Sequence, residues 1–321
     1  MVDDAQTHTI PEQAEAIDRI ACFMGCASSD ALQRRLREHT ECVSLHYDNL
    51  LPDEQTASTS SGYGEANLPK KLEELGFGDI EGACAIVEGW RRGRYRALRT
   101  GRAKNLLEQI IPGLFEAFSE THQPTAALNR FDKFIAQLPA GVQLFSLLQA
   151  NPSLFGLLAR VMGLAPALAE TLAKKPQLWD AVLEPDFFAP LESEQNLSAY
   201  LDELLESASD YQDILDIVRR FVAEGRFRIG VQLLEALADV RESGEALTRF
   251  ADVTLKALTK AAEEEFAIRH GRFAGGGIAV IAMGKYGGRE LTSTSDLDIV
   301  FLYHVPDMDM LSDGDKPLSP S

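Results

Sequence analysis

Residues 275–303 read GGGIAVIAMGKYGGRELTSTSDLDIVFLY. Within them, Ile278 to Met283 is an apolar run of strand length between a triple-glycine loop and the turn Gly284-Lys285-Tyr286-Gly287-Gly288. A helical turn fits at Arg289-Glu290-Leu291, before the polar run Thr292-Ser293-Thr294-Ser295. Asp296 to Tyr303 is rich in β-branched and aromatic residues and predicts a second strand. The order is strand, Gly-Gly turn, short helix, then an Asp-x-Asp pair opening a strand. Residues two apart in a strand point to the same side. Asp296 and Asp298 are therefore expected to face one way, with Leu297 and Ile299 turned into the core. Two converging carboxylates repel unless a divalent cation lies between them, and magnesium suits carboxylates, waters and substrate phosphates. The bare backbone of Gly287 and Gly288 would let phosphate oxygens come close, with N–H groups and a helix start aimed at them. Ser295 and Lys285 are further candidate phosphate contacts.

Other readings of these residues fit less well. GKYGG lacks the GxxxxGK[ST] order of a P-loop, and a GxGxxG dinucleotide fingerprint is missing. An aspartyl-phosphate nucleophile ends an apolar strand, whereas here the apolar run follows the aspartates and polar residues precede them. A lone Asp-x-Asp reads as a turn cap beside a solvated strand residue. The Gly-Gly turn, the seven-residue spacing Arg289 through Ser295 and the flanking strands reverse that preference.

Upstream, most of the chain reads as helix. Two segments from Glu12 to about Leu51 break near Ala27-Ser28-Ser29-Asp30, where serine or aspartate can cap the second. Pro52 to Asn67 is small, polar and aperiodic, a flexible linker. Helices resume at Leu68 to Leu75 and continue through Arg102. Leu106, Leu107, Ile110, Ile111, Leu114, Phe115 and Phe118 then form an apolar helix stripe. Prolines 139, 152, 166, 176 and 185 divide the next stretch into short apolar helices. Longer helices are expected at Asp210 to Ala223, Phe227 to Val240 and Glu245 to Ile268, the last with Leu247, Phe250, Leu258, Ala262 and Phe266 on one face. The tail from His304 carries Asp307, Asp309, Asp313 and Asp315 and packs nothing evident.

The 321 residues allow about two domains, and 45% apolar content is that of a globular chain. With 31 Lys and Arg against 49 Asp and Glu, the net charge is −18, which argues against DNA or RNA as a main partner. A nucleotide is not excluded, because a metal ion can offset its charge. No apolar run reaches the ~20 residues of a membrane span, and MVDDAQTHTI has no secretory character. A cytoplasmic protein without nucleic-acid or membrane partners is expected. Cys22, Cys26, Cys42 and Cys84 complete no zinc site and read as reduced thiols.

The quoted stretch resembles the nucleotidyltransferase signature of the glutamine synthetase adenylyltransferase family. Enzymes of that family have two such catalytic halves, one attaching AMP from ATP to a tyrosine of glutamine synthetase and one removing it by phosphorolysis. EGWRRGRYRALRTGRAKNLL, LNRFDKFIAQLPAGVQLFSLLQANPSLFGLLA and EGRFRIGVQLLEA resemble the helical region before the adenylylating half, and the N-terminal helices resemble the end of the first half. The resemblance implies a helical tail of a preceding domain at 1–51, a linker at 52–67, a helical region at 68–244 and the start of an α/β nucleotidyltransferase domain, of the DNA polymerase β-like superfamily, at 245–321. It implies Asp296 and Asp298 as magnesium ligands, with Gly287, Gly288 and Ser295 holding the triphosphate of ATP and Lys285 nearby. Glutamine synthetase would be the protein substrate and a PII-type signalling protein a partner. The family uses a third carboxylate from a later strand, and none follows before Ser321, so the chain is expected to be an internal piece, inactive by itself. A helical docking scaffold is the non-enzymatic alternative. The basic cluster Arg91, Arg92, Arg94, Arg96, Arg99 and Arg102 reads first as a solvated helix face, and second as a docking surface for glutamine synthetase or a signalling protein. The scattered histidines support no hydrolase triad, and Trp179, Phe187 and Phe188 are expected in the core.

Overall fold

The stripe expected after Leu106 is where the core begins. In a computed structural model, which describes residues 14–37, 39, 63–64 and 66–320, α5 (Gly101–Ser119) buries Leu107, Ile110, Ile111, Leu114, Phe115 and Phe118. The chain divides into two units, residues 1–59 and 60–321. The described part of the first contains α1 (Ala14–Phe23) and α2 (29–37), and the Ser28 hydroxyl accepts the Ala31 N–H at 3.2 Å as the second helix's cap. Cys42 and residues 52–62 of the expected linker lie outside the described residues.

The second unit begins earlier than the expected linker boundary. Tyr63, within the expected linker, is buried with its ring 5.8 Å from Phe115, and Arg91 donates to its carbonyl at 2.8 Å. An aromatic ring among small polar residues is an anchor because it removes a large apolar area from water. The helices α3 (Leu68–Glu74) and α4 (Ile80–Arg91) follow. Helix does not continue to Arg102: Gly93 takes φ +76°, and a short 3₁₀ turn, Arg96–Leu98, leads into α5. Thr100 caps α5 by accepting from the Ala103 N–H.

Two of the dividing prolines, Pro152 and Pro166, start helices as expected, whereas Pro185 is followed by turns and no helix. Pro124, Pro152 and Pro166 occupy the first turns of α6 (Pro124–Gln137), α8 (Pro152–Leu164) and α9 (Pro166–Lys174), with α7 (Val142–Ala150) between. These helices and the short α10 (Leu178–Ala181) enclose one core in which Phe131 meets Trp90 and Phe118 edge-on, at 5.7 and 6.0 Å. Trp179 and Phe187 are buried in it, while Phe188 is largely exposed, against expectation. No single described helix is long and apolar enough to cross a membrane.

A second core joins α11 (Glu194–Leu205), α12 (Tyr211–Leu234) and α13 (Val240–His270). The two helices expected on either side of Gly225 are one. Gly225 is buried inside α12, and a Cβ there would lie 2.1 Å from Cε1 of Phe250 on α13. The glycine permits close helix approach instead of ending a helix. A capping box between Asp239 and Glu242 starts α13, so the division at 244/245 falls inside a continuous helix. Its distal face is not a buried stripe as expected: Ala262 and Phe266 are exposed.

Two antiparallel strands, β1 (Gly277–Ala282) and β2 (Ile299–His304), pair from Gly277 with His304 to Ala282 with Ile299. The fold is thus mostly helical with one small sheet. A third cluster fastens that sheet to the helices: Ile229, Ala246, Leu247 and Ala251 pack with Tyr286 and Leu291, and Ala282 and Ile299 lie against them. The acidic tail does pack. Asp313, Gly314 and Lys316 donate their N–H groups to the carbonyls of Arg272, His270 and Arg269 at the end of α13.

Candidate nucleotide site

Between the strands, the chain turns once through α14 (Gly284–Gly287). The helical turn falls on Gly284-Lys285-Tyr286-Gly287, not on Arg289-Glu290-Leu291 as expected from the sequence. Tyr286 explains the shift. Its ring is buried in the third cluster, and its hydroxyl donates to Asp252 Oδ1 of α13 at 2.7 Å. Burial, reinforced by the Asp252 hydrogen bond and charge, holds its phenol well above the ordinary tyrosine range. Tyr286 pins the turn, and Arg289, at φ +58°, reverses the chain after it.

The two glycines therefore do not present the free amides that their sequence suggests. The Gly287 and Gly288 N–H groups donate to the carbonyls of Met283 and Gly284, at 2.9 and 3.0 Å, inside the helical turn. They are not spare donors at a helix start. A Cβ on Gly287 would sit 2.7 Å from the Ala282 carbonyl oxygen, so this glycine lets the turn fold back on β1. At Gly288 the nearest atom would be 3.5 Å away, and the residue is exposed, leaving a side-chain-free surface.

Asp296 and Asp298 are also displaced from their expected element. Both precede β2, which begins at Ile299, and both are exposed. Leu297 is 39% exposed, whereas Ile299 packs on the third cluster. The sheet's last rung is the Met283 N–H donating to the Asp298 carbonyl at 2.8 Å. This draws the Asp298 side chain toward α14: its Oδ2 would lie 2.4 Å from a Cβ on Gly284, where φ is +52°. Ser295 is half-buried in a tight turn, its Oγ accepting the Thr292 N–H at 3.0 Å and lying 2.9 Å from Thr292 Oγ1. Arg226 of α12 donates to the Ser293 carbonyl. Lys285 is exposed beside this assembly.

The fold thus brings Asp298, Gly284 and Lys285 together and leaves Asp296 and Gly288 open at the same end of the sheet. The donor set at the aspartates is two solvent-facing carboxylates in one short loop. Such hard oxygen ligands fit a magnesium ion that keeps waters and takes phosphate oxygens. Among the described residues, no group of three or more His, Cys, Asp or Glu side chains gathers into a metal cage. Sequence reasoning missed Tyr286, Asp252 and Arg226 as supports of this loop. The signal for Tyr286 was its position as the one aromatic residue between glycines; Asp252 and Arg226 carry no local signal.

The helical array carries a strand, a turn and an aspartate loop, fastened to its last two helices. Residues 155–320 match the model of the glutamate-ammonia ligase adenylyltransferase family. The chain belongs to that family. It is similar to the bifunctional glutamine synthetase adenylyltransferase/adenylyl-removing enzymes of Mesorhizobium japonicum, at 41% identity over 331 residues, and Brucella suis, at 37% over 329. The corresponding enzyme of Rhizobium meliloti is 38% identical over 327 residues. Each alignment covers 100% of this chain and 33% of the relative, so the chain spans about a third of the length of the curated relatives it matches.

Proposed function

We propose that residues 277–304 form the nucleotide end of an adenylyl-transfer site, which moves AMP from ATP to a tyrosine of glutamine synthetase. One observation carries the reading: the Met283–Asp298 rung and the Gly284–Asp298 approach join the glycine turn and the aspartate loop into one surface. The relatives' shared name, with its two activities, supports the substrate and the chemistry. The order of elements, a helical array followed by the motif, favours the adenylylating activity over AMP removal. The domain is read as a member of the DNA polymerase β-like nucleotidyltransferases.

In this reading a tyrosine hydroxyl gives up its proton to solvent, its oxygen attacks the α-phosphorus in line to form a new O–P bond, and the bond to pyrophosphate breaks as pyrophosphate leaves. Asp296 and Asp298 would hold magnesium, which would supply neutralising charge to the phosphates. Lys285 supplies a cation to the phosphates, and Gly288 leaves room for their approach. Ser295 keeps the aspartate loop in its tight turn and offers its hydroxyl at the edge. Most of the catalysis is positioning. The net charge of −18 suits a protein substrate over a nucleic acid. A cytoplasmic location and a PII-type signalling partner belong to the same reading.

Calorimetric titration of MgATP into the chain tests it. Magnesium-dependent binding is expected, weakened at least about tenfold by Asp298→Asn, the scale of a lost charged contact. Equal binding by the wild-type and Asp298→Asn chains would refute the assignment. Release of ADP from adenylylated glutamine synthetase on adding phosphate would point instead to the AMP-removing activity.

A further inference from the structure

An open cleft of about 600 Å³ runs between α9, α12 and α13 and is closed on one side by the Ser293–Thr294 turn. Its walls carry Lys174 and Lys175 from the end of α9 and Arg219 and Arg226 from α12, against Glu170 as the lining carboxylate. Arg219 and Arg226 are seven residues apart and so share a helix face. A concentration of cations of this kind is unusual in a chain of net charge −18. Two of the cations are only loosely engaged. Lys174 pairs with Glu170 and Arg219 with Asp216 one turn away on the same helix, in pairs more than 60% exposed on both sides. Exposed pairs of that kind hold their partners weakly. Lys175 forms no salt bridge among the described residues. Leu168, Phe227 and Leu258 add apolar surface.

The second observation is Thr254, which lines this cleft from α13. It is only 8% exposed, and its hydroxyl has no hydrogen-bond partner. Buried hydroxyls are almost always paired, because an orphaned one forfeits its hydration without return. The oxygen has almost no accessible surface of its own, and a turn about χ1 is what would bring it to an occupant of the cleft.

We propose that the cleft is a binding site for a small organic oxyanion, a phosphate or carboxylate group carried on an apolar body. The anionic group lies among Lys175, Arg219 and Arg226, the body rests on Leu168, Phe227 and Leu258, and the Thr254 hydroxyl bonds to the ligand. An occupant touches Ser293 and Thr294, directly before Ser295 and Asp296, so loading this cleft bears on the aspartate loop. The site itself does not depend on whether that loop transfers AMP.

Phenyl phosphate, 3-phenylpropionate and uncharged benzyl alcohol, titrated into the 321-residue chain without magnesium and followed by calorimetry and methyl NMR, test this. Saturable binding is expected for a charged probe and not for benzyl alcohol, and the tighter of the two anions identifies the acidic group. Thr254→Val and Lys175→Gln are each expected to weaken binding about tenfold. Thr254→Val should leave the melting temperature of the free chain equal or higher, since it removes an orphaned hydroxyl, which separates lost binding from lost folding. Asp298→Asn should leave binding unchanged. The proposal fails if neither anion saturates by roughly 10 mM, the weak end of specific binding. It also fails if both cleft variants bind like the wild type, or if binding requires magnesium and Asp298.

Discussion

At Gly284 two constraints meet in one residue. Its φ of +52° is a conformation that costs an L-residue ~1–2 kcal/mol, and a Cβ would press on the Asp298 carboxylate. Gly284→Ala is expected to lower the melting temperature and to weaken MgATP binding together, as read by thermal unfolding and calorimetry. Tyr286→Phe isolates the support from the site, because it removes the bond to Asp252 while keeping the ring. A loss of about 1–3 kcal/mol of stability is expected in urea unfolding, from a half-buried carboxylate deprived of its donor. Tyr95 gives a pH signature. Burial first, then its hydrogen bond to Asp132 at 2.8 Å and that residue's charge, push its phenol up to about 12. The folded state therefore binds this proton more tightly than the unfolded chain. Its contribution is complete below pH 10 and is lost between pH 10 and about 12, a slope that Tyr95→Phe should flatten in unfolding measured across that window.

Helix α12 shows how an element can be misread from its own residues. Glycine lowers helix propensity by roughly 1 kcal/mol relative to alanine, so a break at Gly225 is the natural local expectation. The Phe250 ring, itself packed 5.0 Å from Phe221, needs the space that a methyl group would fill. Gly225→Ala should therefore destabilise by about 1–3 kcal/mol, the cost of overpacking, although it raises local helix propensity. In a Phe250→Leu background that cost should shrink, and a double-mutant cycle in urea measures the coupling. The α5 stripe and the proline-led helices were legible because one face and the first turn are local properties. Whether Phe266 would be buried was not, because that depends on what lies opposite the end of α13.

Across the whole molecule, stability is unevenly distributed. The helical core buries Trp90 and the phenylalanines of α5, α6 and α7, whereas Val300, Phe301, Leu302 and Tyr303 of β2 are each 45–61% exposed. A two-stranded sheet is marginal without further cover. Amide exchange in β1 and β2 is expected to be at least about a hundredfold faster than in α5 and α6, and mass-spectrometric hydrogen exchange checks it. Equal protection would mean that the third cluster alone secures the sheet. The candidate site was readable in part. The turn, the aspartates and their spacing stand in consecutive residues, and so does the family resemblance.

From the sequence alone followed the helical character, the α5 stripe, the capping of α2, the strand pair and the proximity of Lys285, Gly288, Asp296 and Asp298 in the chain. These depend on periodicity, proline and hydroxyl chemistry within a few residues. Only the tertiary structure decided where the helical turn falls, that the Gly287 and Gly288 amides are used internally, and that Asp298 leans on Gly284. The deciding contacts come from elements distant in the chain: Asp252 takes the Tyr286 hydroxyl, Arg226 holds Ser293, and Phe250 needs the space beside Gly225. Burial of a side chain against a remote partner outweighs local propensity, and no local pattern encodes that partner.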